Sequence, residues 1–374
     1  MRVLIVSIVH TPLDARIHHR QIRALRDADV AVTQVGPWST IDLDPAAVVP
    51  GVVTVDVPRA VGRRRLRALR HARRVIARLG PEHDVVLLHD PELVLAVAGR
   101  LRRLPPVVLD VHEDLPASLE DRSWFPRPLR RAIAAATRRL ERWAEHHLAG
   151  LLLAEDGYRS RFGGDHPVVP NLPWLPPEEP SPTDPRRVVY LGRVSTGRGA
   201  HELIAIGERL TAADGPRLEV TGAADDDVRP LVERAHRRGV LRWHGFLPND
   251  VALAGVEGAL VGLALLHDLP NYRGSLPTKV AEYLAHGVPA IVTPLPQAVR
   301  MVETSGAGVV VDFGDVDGAV DAILGLSADA DRRARWGRQA RTYIEEGHSW
   351  DAIAPEFVAH LQRLAATGPA AGER

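Results

Sequence analysis

Short apolar runs separated by amphipathic stretches occur along this chain in two successive series, and that alternation constrains the fold more than any other feature. In the first series the runs cover residues 2–9, 31–35, 52–57, 84–88, 107–111 and 151–154. In the second they cover residues 187–192, 217–221, 241–245, 260–266, 290–293 and 308–311. Runs this short and this continuously apolar suit strands covered on both faces, and the helical stretches between them supply the cover. Each series predicts a parallel, doubly wound α/β sheet. Between the two series the chain becomes proline-rich, with Pro167, Pro170, Pro173, Pro176, Pro177, Pro180, Pro182 and Pro185. Such a stretch is a stiff, extended connection. With 374 residues, 45% of them hydrophobic, there is enough chain for two domains with cores of their own. Two facing sheets leave a cleft, and ligands in these folds lie outside the carboxyl ends of the strands.

Composition removes several classes of function. There is no cysteine, so neither a disulfide framework nor a thiolate metal site is expected. Charge balances over the chain, with residues 1–150 at about +7 and the remainder at about −7. An excess this modest, without interleaved aromatics, does not suggest a nucleic-acid partner. No apolar run reaches the roughly 20 residues of a membrane span, and the expectation is a soluble, cytoplasmic protein. Residues 63–78 hold eight arginines among leucines and valines, and residues 127–142 are similar. A solvated helix face is the favoured reading of both, and peripheral contact with an anionic membrane is the alternative.

Forty-six of the 47 basic residues are arginine; the single lysine is Lys279. It lies in Ser275-Leu276-Pro277-Thr278-Lys279-Val280-Ala281-Glu282-Tyr283, where Pro277 suits the first turn of a helix that Gly287 and Pro289 stop. A compact ammonium beside free helix amides suits a phosphate oxygen. Glu282, about 4.5 Å further along the axis on the same face, suits a ribose diol. An ordinary surface pair of Lys and Glu is the competing reading. A second cluster favours the anion. Gly192-Arg193-Val194-Ser195-Thr196-Gly197-Arg198-Gly199 follows a strand, and two guanidinium groups at that turn would neutralise a pyrophosphate. The acidic run Asp225-Asp226-Asp227 is expected to decorate the start of the next helix rather than to bind a metal.

In the first half three strand ends are polar: His10-Thr11-Pro12-Leu13-Asp14, His89-Asp90-Pro91-Glu92 and Asp110-Val111-His112-Glu113-Asp114. Histidines and carboxylates gathered at one edge of an apolar sheet mark a functional cleft. Asp14 is also placed to cap the helix that follows it. Asp90 is equally suited to capping a helix at Pro91 or to contacting a ligand, and His89 to simple packing.

Taken together these motifs resemble those of GT-B glycosyltransferases of the large retaining family four (group 1) type. The resemblance implies two facing Rossmann-like domains, with an acceptor domain at residues 1–172 and a nucleotide-sugar domain at 173–350. It also implies a C-terminal helix, about residues 351–366, that returns to the first domain. A Gly-Arg turn with a second cation five residues later matches Gly192, Arg193 and Arg198, and implies contact with the donor diphosphate. A Gly-aromatic pair after a strand matches His244, Gly245 and Phe246, and implies contact with the nucleobase. The Pro-x-Lys-x-x-Glu-Tyr helix implies that Ser275, Leu276, Thr278, Lys279 and Glu282 hold phosphate and ribose. The family's histidine beside the reacting carbon matches His112, which joins Arg193, Arg198 and Lys279 as the implied catalytic group. Acceptor contacts fall to His10, Asp14, Asp90 and Glu113. The donor is implied to be a UDP- or GDP-linked sugar, transferred with retention to a saccharide or small-molecule acceptor, with no cofactor and no metal. One departure is Gly274, where many members carry a glutamate that touches the donor sugar; Tyr272, Arg273 or the backbone of Gly274 and Ser275 are the candidates to replace it. A GT-B sugar-nucleotide epimerase and a catalytically silent nucleotide-sugar-binding protein share the same motifs and are the alternatives.

Overall fold

A computed structural model describes residues 1–41, 44–112 and 127–368. Each of the twelve apolar runs is a strand. The first six are β1 (Arg2–Val6), β2 (Ala31–Gly36), β3 (Val53–Asp56), β4 (Val85–Leu88), β5 (Val107–Val111) and β6 (Gly150–Leu153). They form a parallel sheet in the order β3-β2-β1-β4-β5-β6. The second six are β7 (Arg187–Leu191), β8 (Arg217–Thr221), β9 (Arg242–Gly245), β10 (Val261–Ala264), β11 (Ala290–Val292) and β12 (Gly308–Val310), in the order β12-β11-β10-β7-β8-β9. Counted from its own first strand, each sheet has the order 3-2-1-4-5-6 of a Rossmann domain. The strand order therefore reverses between β1 and β4 in one sheet and between β7 and β10 in the other. Ligands bind at the crevice such a reversal opens.

The chain divides into two compact units, one of Met1–Asn171 with the tail from Ile353, the other of Leu172–Ala352. In the first unit β1 and β4 are buried on both faces, with Val3, Leu4, Ile5, Val6 and Val85 to Leu88 out of contact with water. Helix α1 (Arg65–Leu79) lays Ala68, Ala72 and Ile76, one turn apart, against this core. Its arginines face outward and Leu66 is left exposed. Helix α2 (Arg127–His147) precedes β6. In the second unit helix α3 (Ala200–Ala212) buries Leu203, Ile206 and Leu210 in the same manner. The closing helix α5 (Trp350–Thr367) brings His360 and Leu364 against Gly150 at the start of β6, within the first unit. No helix among the described residues is long and apolar enough to cross a membrane.

Helix α4 (Thr278–Ala285) carries the lysine, and its seat is tightly defined. Pro277 lies just before the helix rather than inside its first turn, with φ −76° and ψ 84°. At the other end Gly287 N–H donates to Leu284 O and Val288 N–H to Tyr283 O, the paired bonds of a Schellman motif. Between these limits the Tyr283 ring lies flat on Gly262 of β10: a Cβ there would meet ring carbons at 2.2 to 2.4 Å. The Tyr283 hydroxyl accepts from Leu191 N–H at 2.8 Å and donates to Leu263 O at 3.2 Å. One side chain thus ties α4 to the ends of both strands that flank the reversal point. Replacing Gly262 with Ala should force this ring away, at about 1–3 kcal/mol for an overpacked core. The loss is checked by thermal or urea unfolding against the wild type, and an unchanged midpoint would show that α4 is held by something else.

Candidate functional site

In the second unit the residues expected around a phosphate do come together, with one reassignment. The turn after β7 begins at Gly192, whose φ of 113° suits only glycine. The next strand's turn begins at Gly222, packed so closely that a Cβ would fall 1.9 Å from Gly192 O. These two glycines open the backbone at the end of β7, and Lys279 fills the opening. Its amine lies 3.7 Å from the centroid of the Tyr190 ring and within 3.6 Å of where a Gly192 Cβ would stand. Tyr190 is itself locked, its hydroxyl donating to Arg193 O at 2.7 Å.

Lys279 is only 8% exposed, and its Nζ has no hydrogen-bond partner among the described residues. Burial holds the amine well below the usual lysine range; the Arg198 charge pushes the same way and Glu282 opposes it. A buried ammonium with three unmatched donors is unfavourable unless something anionic meets it. Glu282, one turn on, is 6% exposed. Arg198 rests over the Tyr272 ring. Arg193 behaves differently from expectation. Its fork is taken by Asp225, with Nε to Oδ1 at 2.5 Å and Nη2 to Oδ2 at 2.9 Å, so in this state it does not present a free guanidinium. The acidic run is divided: Asp226 accepts from Arg229 Nη2 at 3.2 Å at the start of the helix Arg229–Arg237, which no side chain caps, and Asp227 accepts from Thr196 Oγ1 at 3.3 Å.

Around Gly274 a Cβ would meet nothing within 4 Å, so there is room where the family's glutamate would stand. Arg273 donates from Nε and Nη2 to Asp268. Ser275, Leu276 and Thr278 form the tight lead-in to α4, with Ser275 N–H donating to Tyr272 O and Thr278 N–H to Leu276 O. Beyond β9, Phe246 is 77% exposed, an open aromatic face, and His244, two residues earlier within β9, is partly buried.

The first unit's strand ends build a buried polar network centred on Asp110. Arg16 grips both its oxygens, Nε to Oδ2 and Nη2 to Oδ1 each at 2.7 Å, and Gln21 donates to Oδ2 at 2.9 Å. His89 Nδ1 lies 3.1 Å and His112 Nδ1 3.5 Å from the same oxygen. Burial alone would raise the Asp110 carboxyl, but the Arg16 charge and fork, with His89, hold it well below the usual carboxylate range. Burial also pushes His112 down to about 3, against the pull of Asp110, so its imidazole is neutral near pH 7. His112 Nε2 meets His10 Nε2 at 3.0 Å, which requires one ring to donate and the other to accept. His89, Asp110 and His112 have ligand-type atoms within 4.8 Å of one another, yet both Asp110 oxygens are already engaged by Arg16.

Two carboxylates turn out to hold backbone. Asp14 caps the helix after β1, accepting from Arg16 N–H at 2.9 Å and Ile17 N–H at 3.2 Å. Asp90, 1% exposed, neither caps the helix at Pro91 nor points to solvent. Its Oδ2 accepts from Ile8 N–H at 2.5 Å and Val9 N–H at 3.2 Å, which pins the end of β1, and its Oδ1 lies 3.4 Å from His10 Nε2. Glu113 falls outside the described residues. Sequence reasoning missed Arg16 and Gln21; their only signal was polar residues on the buried face of an amphipathic helix.

Two units of Rossmann type, each with polar groups at its strand ends, have the architecture of the GT-B fold, and the solved structures compared with this chain share it. Residues 175–343, somewhat less than half of the chain, match the family described as glycosyl transferases group 1. It is 25% identical over 356 residues, 92% of this chain and 88% of the other, to a phosphatidyl-myo-inositol mannosyltransferase of Mycolicibacterium smegmatis. In fold it is similar to sucrose-phosphate synthase from Thermosynechococcus elongatus, at TM-score 0.74 and 16% identity over 98% of this chain and 99% of that one. It is likewise similar to HepE of Anabaena, solved in complex with UDP-glucose, at TM-score 0.71 and 14% identity over 97% and 100%.

Breaking the central pair tests the first unit's network. Asp110→Asn leaves Arg16 buried without a counter-charge and should lower stability by about 3–5 kcal/mol, read by urea unfolding. Because the native carboxyl is depressed, its contribution is present above the unfolded-state value near 3.9 and fades as pH falls through the native one. The gap between wild type and variant should therefore narrow as pH falls below about 4; a gap that does not narrow at all in acid would refute the pairing as its source.

Proposed function

We propose that this glycosyltransferase takes its sugar from a nucleoside-diphosphate donor, retains the anomeric configuration and needs no metal ion. The observation that carries the reading is the Lys279 amine, buried, without a hydrogen-bond partner and set against Gly192 at the end of β7. A diphosphate oxygen at that point satisfies the amine and lies at the positive end of the α4 dipole. Arg198 adds a second charge, and Arg193 a third once it exchanges Asp225 for phosphate. Glu282 takes the ribose hydroxyls, and Phe246 with His244 the base. The HepE structures with UDP, with UDP and glucose, and with UDP-glucose support this assignment by likeness of fold.

In the proposed reaction the bond between the sugar's anomeric carbon and the diphosphate oxygen breaks as the acceptor oxygen bonds to that carbon on the same face. The acceptor's proton passes to the departing phosphate oxygen. Negative charge grows on the diphosphate as this happens, and stabilising it with fixed cations and helix amides is the main service asked of the protein. With two or three cations placed there, a metal ion has no further charge to neutralise. Acceptor binding is assigned to the first unit's strand ends, with His10 and the neutral His112 as the groups that accept and donate hydrogen bonds to sugar hydroxyls. Asp14 and Asp90 support them through the backbone.

Incubation with radiolabelled UDP-, GDP-, ADP- and dTDP-hexoses tests the reading. Sugar should pass to an acceptor, or slowly to water, in the presence of EDTA, and NMR should show the donor's anomeric configuration in the product. Absence of turnover with every donor would sink the proposal. Lys279→Arg keeps the charge but puts a planar fork where only a point charge fits. It should weaken nucleoside-diphosphate binding by about 1.5–3 kcal/mol, the range for hydrogen bonds to charged groups; unchanged affinity would remove Lys279 from the site. The depressed amine also makes binding proton-linked. An incoming diphosphate raises its pKa, so protons are taken up, and affinity falls as pH rises from the free-state pKa toward the bound-state one. Calorimetry in two buffers of different ionisation enthalpy measures that uptake.

A further inference from the structure

An open hollow lies beside the turn that carries Phe246, lined by Leu191, Glu219, Thr221, His244, Leu247 and Val256 among others. Strand alternation explains its composition. Leu218 and Val220 of β8 point into the core, so Glu219 and Thr221 point to the opposite face. Register places Val189 beside Glu219 and Leu191 beside Thr221. On this otherwise apolar wall stands one carboxylate. Glu219 is 16% exposed at its side chain, and its nearest cations are loose: His244 Nε2 at 3.6 Å and Arg187 Nη1 at 4.0 Å. Neither is a hydrogen bond, and Arg187 is already donating to Gly255 O at 2.6 Å and to Glu257 O. The Glu219 carboxylate thus accepts no close hydrogen bond from a described side chain and is open to donors of a ligand in the hollow.

Resting on the nucleoside-diphosphate reading above, we propose that Glu219 selects guanine as the base of the donor. The chemistry separates the bases. Guanine alone offers two adjacent donors on one edge, N1–H and the N2 amino group, and these match the two oxygens of a single carboxylate. Uracil and thymine offer one N–H between two carbonyl oxygens, both of which a carboxylate repels. Adenine sets its amino group beside the N1 lone pair, with the same result. Thr221 and His244 stand on the same wall to meet the guanine carbonyl, and the apolar remainder suits the ring faces. A site built to hydrogen-bond one group discriminates strongly against ligands that lack it, because its buried polar atoms are then left unpaired.

The test is a calorimetric or thermal-shift titration of the full chain with GDP, UDP, ADP and inosine diphosphate. GDP should bind about ten- to hundredfold tighter than UDP or ADP, the range for a good bidentate pair. Inosine diphosphate, which lacks only the N2 amino group, should fall roughly tenfold below GDP. Glu219→Gln should bring GDP down toward UDP while leaving UDP unchanged. UDP or ADP binding as well as GDP, or inosine diphosphate equal to GDP, overturns the assignment of guanine and leaves the diphosphate site standing. Failure of all four to bind overturns the donor reading itself. The inosine comparison uses the wild-type chain, so the test holds even where the variant does not fold.

Discussion

A parallel strand buried on both faces favours apolar side chains along its length and leaves most polar groups to its end, and much of the chemistry in this protein follows from that constraint. Val3 to Val6 and Val85 to Leu88 are apolar and dry, so hydrogen-bonding and charged groups appear where those strands stop. The 3-2-1-4-5-6 order then draws particular ends together. His10 after β1 meets Asp90 after β4, and Gly192 after β7 meets Lys279, whose helix is tied to the ends of β7 and β10. The same topology, used twice, yields two polar edges of different chemistry.

The two edges handle buried charge in opposite ways. Asp110 is met on every side, by the Arg16 fork, by Gln21 and by His89, and its ionised form is stabilised accordingly. Nothing further is needed to keep it there, and its role is to hold the histidines in place. Lys279 is left with an aromatic face and a glycine. Burial disfavours its protonated form. A satisfied buried network makes a rigid wall, whereas an unsatisfied buried ion makes a binding site.

Arg193 shows how far a turn motif carries. Its place five residues before Arg198, on a turn at a strand end, is read directly from the chain. Its engagement with Asp225 is not, because the two lie on turns from adjacent strands, 32 residues apart. Asp90 is similar. Its neighbour Pro91 suggested a helix cap, but the β1–β4 pairing brought the amides of Ile8 and Val9 within reach, and those bonds won. Asp14, whose partners are two and three residues away, was placed correctly as a cap from local sequence.

Local order determined what depends on neighbours in the chain: twelve strands, the helices between them, the start and stop of α4, and the glycine turn after β7. Hydrophobic period and turn chemistry are short-range, so the chain states them openly. Tertiary structure alone decided which charged groups would be satisfied. Arg16 with Asp110 spans 94 residues, and Lys279 reaches Tyr190 across 89. Which partner a long side chain finds depends on how strands are ordered and how deeply the meeting point is buried, and neither is written in the spacing of the residues themselves.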